Sequence, residues 1–214
     1  MTPADYDAWY DSPRGRWVGE TEFRLLRRLA APQPGETLLD VGCGTGWFTR
    51  RFAVENGWNV TGVDNDAARM EFARAHASNE CYLVGDACTL PFADASIDCV
   101  ISVAALCFID DWPSALSEMA RVARRRIVVG LLNRHSLLWR EKGRGGGAGG
   151  YHGAHWHTEE EIIAALSVLP LAEIRVRTAM FLPSGSSFAR ACEHGLSNRL
   201  PWGGFLVAAA DKQS

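Results

Sequence analysis

Residues 38–48 read LLDVGCGTGWF: an apolar run, an aspartate, then glycines at 42, 44 and 46. The run is a short buried strand. WFTRRFAVENG, residues 47–57, has the spacing of an amphipathic helix that Gly57 would close with a left-handed cap. Glycines inside regular structure cost about 0.5–1 kcal/mol each in chain entropy, a cost borne where the backbone needs positive φ or close approach to another group. Three of them at a strand-to-helix turn predict a site at the tip of the first strand.

Working outward, GETEFRLLRRLAAP (19–32) sets Phe23, Leu25, Leu26 and Leu29 at helical spacing and stops before Pro32 and Pro34. Downstream, NVTGVD (59–64), CYLVGD (81–86), IDCVISVA (97–104) and RIVVGLL (126–132) read as the second to fifth strands. DAARMEFARAHA (66–77) and DDWPSALSEMARVA (110–123) read as helices, with Pro113 near a helix start where its missing N–H costs little. Strands alternating with helices of this length imply βαβ crossovers, hence an α/β fold around a parallel sheet. Past Asn133 the rhythm breaks. Residues 133–157 hold a glycine tract from Gly143 to Gly150 and are expected to be a lid-like loop. A T-x-x-E capping box at Thr158 and Glu161 restarts a helix, and AEIRVRTAMFL (172–182) and GGFLVAAA (203–210) supply two last strands. Residues 1–214 are read as one domain, with 1–34 as an amino-terminal cap segment.

The 214 residues carry a formal charge of −3 and are 47% hydrophobic and 22% charged, the balance of a globular protein without a basic field for nucleic acid. The start, MTPADYDAWYDSPRG, has no basic, apolar leader, and no stretch suits a membrane span, so a cytoplasmic location is expected. The six cysteines contain no C-x-x-C pair and are expected to be reduced thiols.

In an open parallel sheet, ligands bind beyond the carboxyl ends of the strands. There lie Asp40 with the GCGTG turn, Asp64, Asp86, and Ser102 through Leu106. The glycines would let backbone amides meet an anionic group at the following helix's start. Asp64, eighteen residues after Gly46, stands where an acid accepts both ribose hydroxyls and disfavours a 2′-phosphate. Asp86, followed by Ala87, Leu90, Pro91 and Phe92, suits adenine. The dinucleotide fingerprint G-x-G-x-x-G is absent; the spacing is G-x-G-x-G.

LDVGCGTGWF, VTGVDND, VGDACTLPFADASIDCVIS and ARVARRRIVVG together resemble the ordered motifs of class I S-adenosylmethionine-dependent methyltransferases, in particular the UbiE/COQ5-like branch with its methyltransferase type 11 domain. The resemblance implies a Rossmann-like three-layer sandwich with seven strands, the last antiparallel. It implies that the backbone of Gly42, Cys43, Gly44 and Gly46 holds the methionine part of the cofactor, with Asp40 near its amino group and Ser102 on the methionine side. Asp64 would hold the ribose, Asn65 would lie beside the adenine, Asp86 would accept from its amine, and Ala87 would donate to a ring nitrogen. Tyr10 would cover the cofactor from the amino-terminal segment. Asp98 would brace the glycine turn. The product would be S-adenosyl-L-homocysteine.

The expected reaction is methyl transfer to a small molecule of aromatic or lipophilic character, in a pocket drawing on Phe108, Trp112, Trp139 and Trp156. A non-catalytic cofactor-binding member, or an RNA or protein methyltransferase, is the alternative; AALC stands where an N-P-P-Y-like tetrapeptide would follow the fourth strand. His152, His155 and His157 are candidates for a general base, with a solvated loop as the plain alternative. No metal is expected, because the cluster shows no third or fourth ligand in sequence. Tyr6, Trp9, Tyr10 and Trp17 either staple the amino-terminal segment to the sheet or shape the pocket. Arg121, Arg124, Arg125 and Arg126 are read as stabilising their helix end through its dipole.

Overall fold

A computed structural model describes residues 2–54, 58–196 and 198–213. Gly57, the expected helix cap, lies outside the described residues. Seven strands, β1 (Thr37–Val41), β2 (Asn59–Asp64), β3 (Cys81–Val84), β4 (Ile97–Val103), β5 (Ala123–Leu132), β6 (Leu171–Ala179) and β7 (Phe205–Lys212), form one sheet in the order β3-β2-β1-β4-β5-β7-β6. The first five pair in parallel, and β7 runs antiparallel to both neighbours. The chain thus reverses its direction of travel across the sheet at β1 and β4, which is where an open sheet leaves a crevice.

Side chains alternate across the strands and so build a core on each face. Leu39, Val41, Val100, Ile127, Val129 and Leu131 pack with α5 (Trp112–Val122) and α7 (Glu159–Ser167), whereas Leu38, Ile101 and Val128 pack under α2 (Pro13–Ala30) and α3 (Trp47–Ala53). Met70 and Ala73 of α4 (Ala67–Ala75) close on Tyr82. Gly130 keeps the second face tight, since a Cβ there would lie 2.3 Å from the Phe205 ring.

Three helices escape the sequence reading, each short or polar: α1 (Pro3–Trp9), α6 (Leu137–Lys142) and α8 (Ser187–Gly195). The first carries a complete capping box between Thr2 and Asp5. α2 also begins earlier than Gly19, because Ser12 caps it ahead of Pro13. The expected box at Thr158 and Glu161 is formed.

The arginine reading needs correction. β5 starts at Ala123 directly after α5, so Arg124, Arg125 and Arg126 are strand residues. Arg126 donates to the carbonyls of Leu29 and Ala30 (3.1 and 3.3 Å) and pairs with Asp211, while Arg125 donates to Ala30 O (3.3 Å) and pairs with Glu36 at 2.6 Å. They therefore close the carboxyl end of α2, whose last carbonyls lack helical partners. Asp98 likewise braces the opposite end of β1 from the glycine turn: Thr37 donates to it through N (2.9 Å) and Oγ1 (2.8 Å), and Arg124 lies 3.3 Å away. Among the described residues no helix is long and apolar enough to cross a membrane.

Candidate active site

The glycine turn takes the positive φ that its composition demands: 72° at Gly42, 57° at Gly44 and 81° at Gly46. Its amides are spent inside the protein. Gly42 and Cys43 donate to Val63 O (2.7 and 3.0 Å), and Gly44 donates to Asp64 Oδ2 (2.9 Å). Asp66 N donates to the other Asp64 oxygen at 3.0 Å, so the 7% exposed Asp64 carboxylate locks the turn to the end of β2. Each carboxylate oxygen keeps one further lone pair for a ligand hydroxyl.

The three glycines do different things. A Cβ on Gly42 would lie 2.2 Å from Ala105 Cβ, and one on Gly46 would lie 2.3 Å from Tyr82 Oη, so both permit packing. A Cβ on Gly44 would meet nothing within 4 Å. Gly44 alone leaves open space, at the rim where the strand tips meet. Cys43 contributes backbone only, since its Sγ lies towards Gly62 and Met70 and burial pushes its thiol far up.

Two buried polar atoms at this rim have no hydrogen-bond partner among the described residues: Asp40 Oδ1 and Ser102 Oγ. Asp40 is 1% exposed, and its other oxygen accepts from Thr49 Oγ1 at 2.7 Å. Burial raises its carboxyl to about 7, with the Thr49 bond opposing and the Asp64 charge adding. An orphaned carboxylate oxygen, an orphaned hydroxyl and an open glycine are the features that a ligand with an ammonium group and a ribose would complete. The residues present therefore fit S-adenosylmethionine.

The outer positions are more exposed. Asn65 and Asp86 lie at the surface, Asp86 Oδ1 accepting from Cys88 N at 2.9 Å, while Ala87 is buried beside Leu90. Ala104, just beyond β4, holds a φ of 57°, and Ala104 N donates to Gly130 O at 2.8 Å.

α1 is tied to the glycine turn. Asp7 Oδ1 accepts from Thr45 Oγ1 and from Arg50, both at 2.7 Å. Tyr10 stacks on Trp47 with centroids 4.2 Å apart and is 7% exposed, so it roofs the start of α3. The aromatic group thus divides. Tyr10 and Trp17 are stapled into the core, and Tyr6 and Trp9 stay 46% and 38% exposed.

Sequence reasoning missed Glu22. This half-buried α2 residue acts electrostatically on Tyr6, Tyr10 and Tyr151, and burial pushes its carboxyl up to about 8. Its signal was present but weak: an acid one residue before Phe23, on a turn of helix whose neighbours Thr21 and Phe23 are buried.

The histidines separate. His152 is exposed at the end of the turn Gly149–Tyr151. His155 Nε2 meets Glu161 Oε1 at 2.8 Å, and His157, 0% exposed, has its Nδ1 3.5 Å from Glu161 Oε2. Burial, then the His155 ring, lowers His157 to about 4, with Glu161 opposing. Trp112 lies edge-on to His157 (centroids 4.9 Å) and near-parallel to His155 (6.1 Å). Beside them a cavity of about 610 Å³ is lined by Arg134, Trp139, Gly143, Arg144, His155 and Trp156. Among the aromatic pocket residues, Trp139 and Trp156 line this cavity, Trp112 faces the histidines, and Phe108 is 50% exposed.

Residues 39–127 match a family described as a methyltransferase domain. The malonyl-[acyl-carrier protein] O-methyltransferase of Erwinia pyrifoliae is 38% identical over 127 residues, 55% of this chain and 48% of that protein. Its counterpart from Hahella chejuensis is 34% identical over 167 residues, 74% of this chain and 58% of that one. The chain thus spans about half the length of the curated relatives it matches. Among solved structures, an S-adenosylmethionine-dependent methyltransferase from Thermotoga maritima, a possible histamine N-methyltransferase, superimposes with a TM-score of 0.79 at 25% identity, covering 98% of this chain and 95% of that one.

Proposed function

The chain belongs to the class I S-adenosylmethionine-dependent methyltransferases, and from that premise we propose that it transfers a methyl group from this cofactor to a small-molecule acceptor. The single observation that carries the proposal is the pair of orphaned buried atoms, Asp40 Oδ1 and Ser102 Oγ, near the carboxyl ends of the adjacent strands β1 and β4. The cofactor supplies a methyl on a sulfonium, already activated towards a nucleophile. What remains for the chain is to hold both reactants in line and exclude water.

In this reading Asp40 meets the cofactor's ammonium, Ser102 donates or accepts on the methionine side, and Asp64 accepts the ribose hydroxyls while keeping the glycine turn closed. Asn65, Asp86 and Ala87 frame the adenine at the more exposed rim. α1, pinned by Asp7 to Thr45 and Arg50, covers the crevice. The acceptor enters between α1, α2 and residues 133–157, where Tyr6 and Tyr151 supply aromatic surface suited to a planar or lipophilic molecule. Glu22 takes over the acid-base role first considered for the histidines, because His155 faces Glu161 and His157 is sealed from solvent. A carboxyl held near 8 is ionised in part near neutral pH, and that fraction can take the proton of an acceptor hydroxyl; a carboxylate acceptor needs no base. The oxygen nucleophile is favoured by the O-methyltransferase names of the relatives. Residues 143–150 act as a lid, so cofactor should slow their proteolysis.

Titration calorimetry with S-adenosyl-L-homocysteine, followed by transfer of isotopically labelled methyl to a panel of malonyl thioesters and phenols, tests the proposal. Binding that falls about 100-fold in Asp64→Ala, together with label in product, supports it. Binding without turnover on any acceptor leaves a cofactor-binding scaffold, and absence of binding overturns the reading altogether.

A further inference from the structure

The histidine cluster stands outside the strand-tip crevice. His155, His157 and Glu161 each present one ligand atom, and the three atoms lie within 4.8 Å of one another. The sequence offered only H-x-x-H-x-H. Folding discards His152 and adds Glu161, four residues past His157 and invisible as a partner until α7 is placed beside the extended segment.

The cluster is held in place by its own backbone. His155 N donates to Cys107 O at 2.7 Å, His157 N donates to Leu132 O at 2.9 Å, and Arg134 N donates to His157 O at 2.9 Å. Glu161 is oriented by the capping box, Thr158 N reaching its Oε2 at 3.3 Å. Trp112 walls both rings. The independent observation is His157 itself: a wholly buried imidazole with neither ring nitrogen hydrogen-bonded among the described residues. Burying a polar ring unpaired costs on the order of 1–3 kcal/mol, and a fold avoids that cost when something coordinates the ring.

We propose that His155, His157 and Glu161 bind a divalent transition-metal ion, Zn²⁺ foremost, with at least one coordination position open. Two imidazoles and one carboxylate are a donor set of borderline hardness that suits Zn²⁺ and its first-row neighbours over Mg²⁺ or Ca²⁺. Bonds of about 2.0–2.2 Å set tetrahedral ligand atoms roughly 3.4 Å apart, so the 2.8 Å His155–Glu161 contact would open and any wider separation would close, an adjustment that the half-exposed His155 side chain can supply. The ion would join residues 155–157 to α7 and so fasten the carboxyl end of the lid segment. His155 also lines the cavity that carries Arg134 and Arg144, so an anionic ligand there could take the open position. The proposal does not depend on the methyl-transfer reading.

The test uses the full chain, stripped with a chelator and dialysed. Zn²⁺ is titrated by calorimetry, and Co²⁺ by its visible d–d absorption. One equivalent of metal, a Co²⁺ spectrum of low coordination number, and a melting temperature raised by Zn²⁺ are expected. His155→Ala, an exposed position that the fold tolerates, should weaken affinity on the order of 100-fold and abolish the thermal shift, and Glu161→Gln should weaken it comparably. His194→Ala on α8 should change nothing. Uptake well below one equivalent, or equal uptake by wild type and His155→Ala, overturns the proposal, as does a Mg²⁺ affinity matching that for Zn²⁺.

Discussion

The tips of β1, β2 and β4 and the loops beyond β5 are both rich in buried polar side chains, yet they use them in opposite ways. Beyond β5 the polar groups of Asn133 and Glu193 are spent on the chain. Asn133 Nδ2 donates to Pro201 O and Gly203 O, both at 2.8 Å, and its Oδ1 accepts from His135 N. Glu193 accepts from the amides of Met180 and Phe181 at 2.9 and 3.0 Å. At the strand tips, by contrast, Asp40 and Ser102 each bury an atom with unused capacity. Polarity in a fold's interior is therefore no guide to function by itself. Unspent polarity is the better guide, and among the described residues beyond β5 the His157 ring is the side chain that leaves both of its polar atoms buried and unpaired, where Trp156 and Arg175 each leave one.

The contrast breaks or holds most visibly in a pair of substitutions. Asn133→Ala removes three backbone partners in a fully buried position and should destabilise the fold by about 3 kcal/mol, with cofactor affinity within twofold of wild type. Gly44→Ala should do the reverse. Its left-handed φ costs a side chain about 1 kcal/mol, no protein atom obstructs the added methyl, and the methyl occupies space assigned to ligand, so affinity should fall about 100-fold. Urea unfolding and calorimetry with S-adenosyl-L-homocysteine on both variants decide it. A Gly44→Ala protein that binds normally removes the crevice from consideration. Gly42→Ala, whose methyl runs into Ala105, belongs with Asn133 in this comparison and should lower stability by about 2 kcal/mol or more.

How much of each region the sequence discloses follows from the same difference. β1 to β5 alternate with helices in short connections, so period and glycine placement suffice, and Asp40, Asp64 and Ser102 were legible because strand order puts them at one edge. The turn's amides were misread as free: that Gly44 N faces Asp64 depends on two strand ends meeting, which no local pattern carries. Beyond Asn133 the information is almost wholly tertiary. α6 and α8 are short and lie outside the strand–helix rhythm, Glu161 joins the histidines only after α7 docks, and the electrostatic link of half-buried Glu22 to Tyr6, Tyr10 and Tyr151 exists only once α1, α2 and the loop beyond β5 come together. The arginines fell to the same limit, since nothing in ARRR tells that α2 ends across from β5.

A smaller effect sharpens the crevice half. Asp40 rises to about 7 through burial, so the folded state holds its proton more tightly than the unfolded chain does. Its contribution to stability therefore declines as pH rises from about 4 towards 7, and above 7 the fold carries an ionised, half-paired carboxylate. Asp40→Asn should raise the ligand-free melting temperature at pH 8 and leave it unchanged near pH 4. The ionised form is the one that meets an ammonium, so wild-type affinity for S-adenosylmethionine should increase roughly tenfold between pH 6 and 8, with proton release on binding below pH 7. Calorimetry in buffers of differing ionisation enthalpy reads that release. A flat profile in wild type would remove Asp40 from the ammonium contact.

The smallest expected effect concerns the cap, where the two regions meet. Asp7 ties α1 to Thr45 and Arg50 by contacts whose side chains are about one-fifth exposed, and partly exposed ion pairs contribute at most about 1 kcal/mol. Asp7→Asn should thus scarcely move the melting temperature. It keeps one acceptor for Thr45 and loses the charge that holds Arg50, so α1 should leave the glycine turn more often. If α1 covers bound cofactor, that opening should appear as a dissociation rate raised about three- to tenfold, with the association rate little altered, as is usual when a contact of the bound state is weakened. Stopped-flow fluorescence of Trp47, beneath Tyr10 at the start of α3, follows both rates. An unchanged dissociation rate would mean that α1 packs beside the crevice without closing it, and the cap would then belong with the loops beyond β5, fastened for the sake of the fold alone.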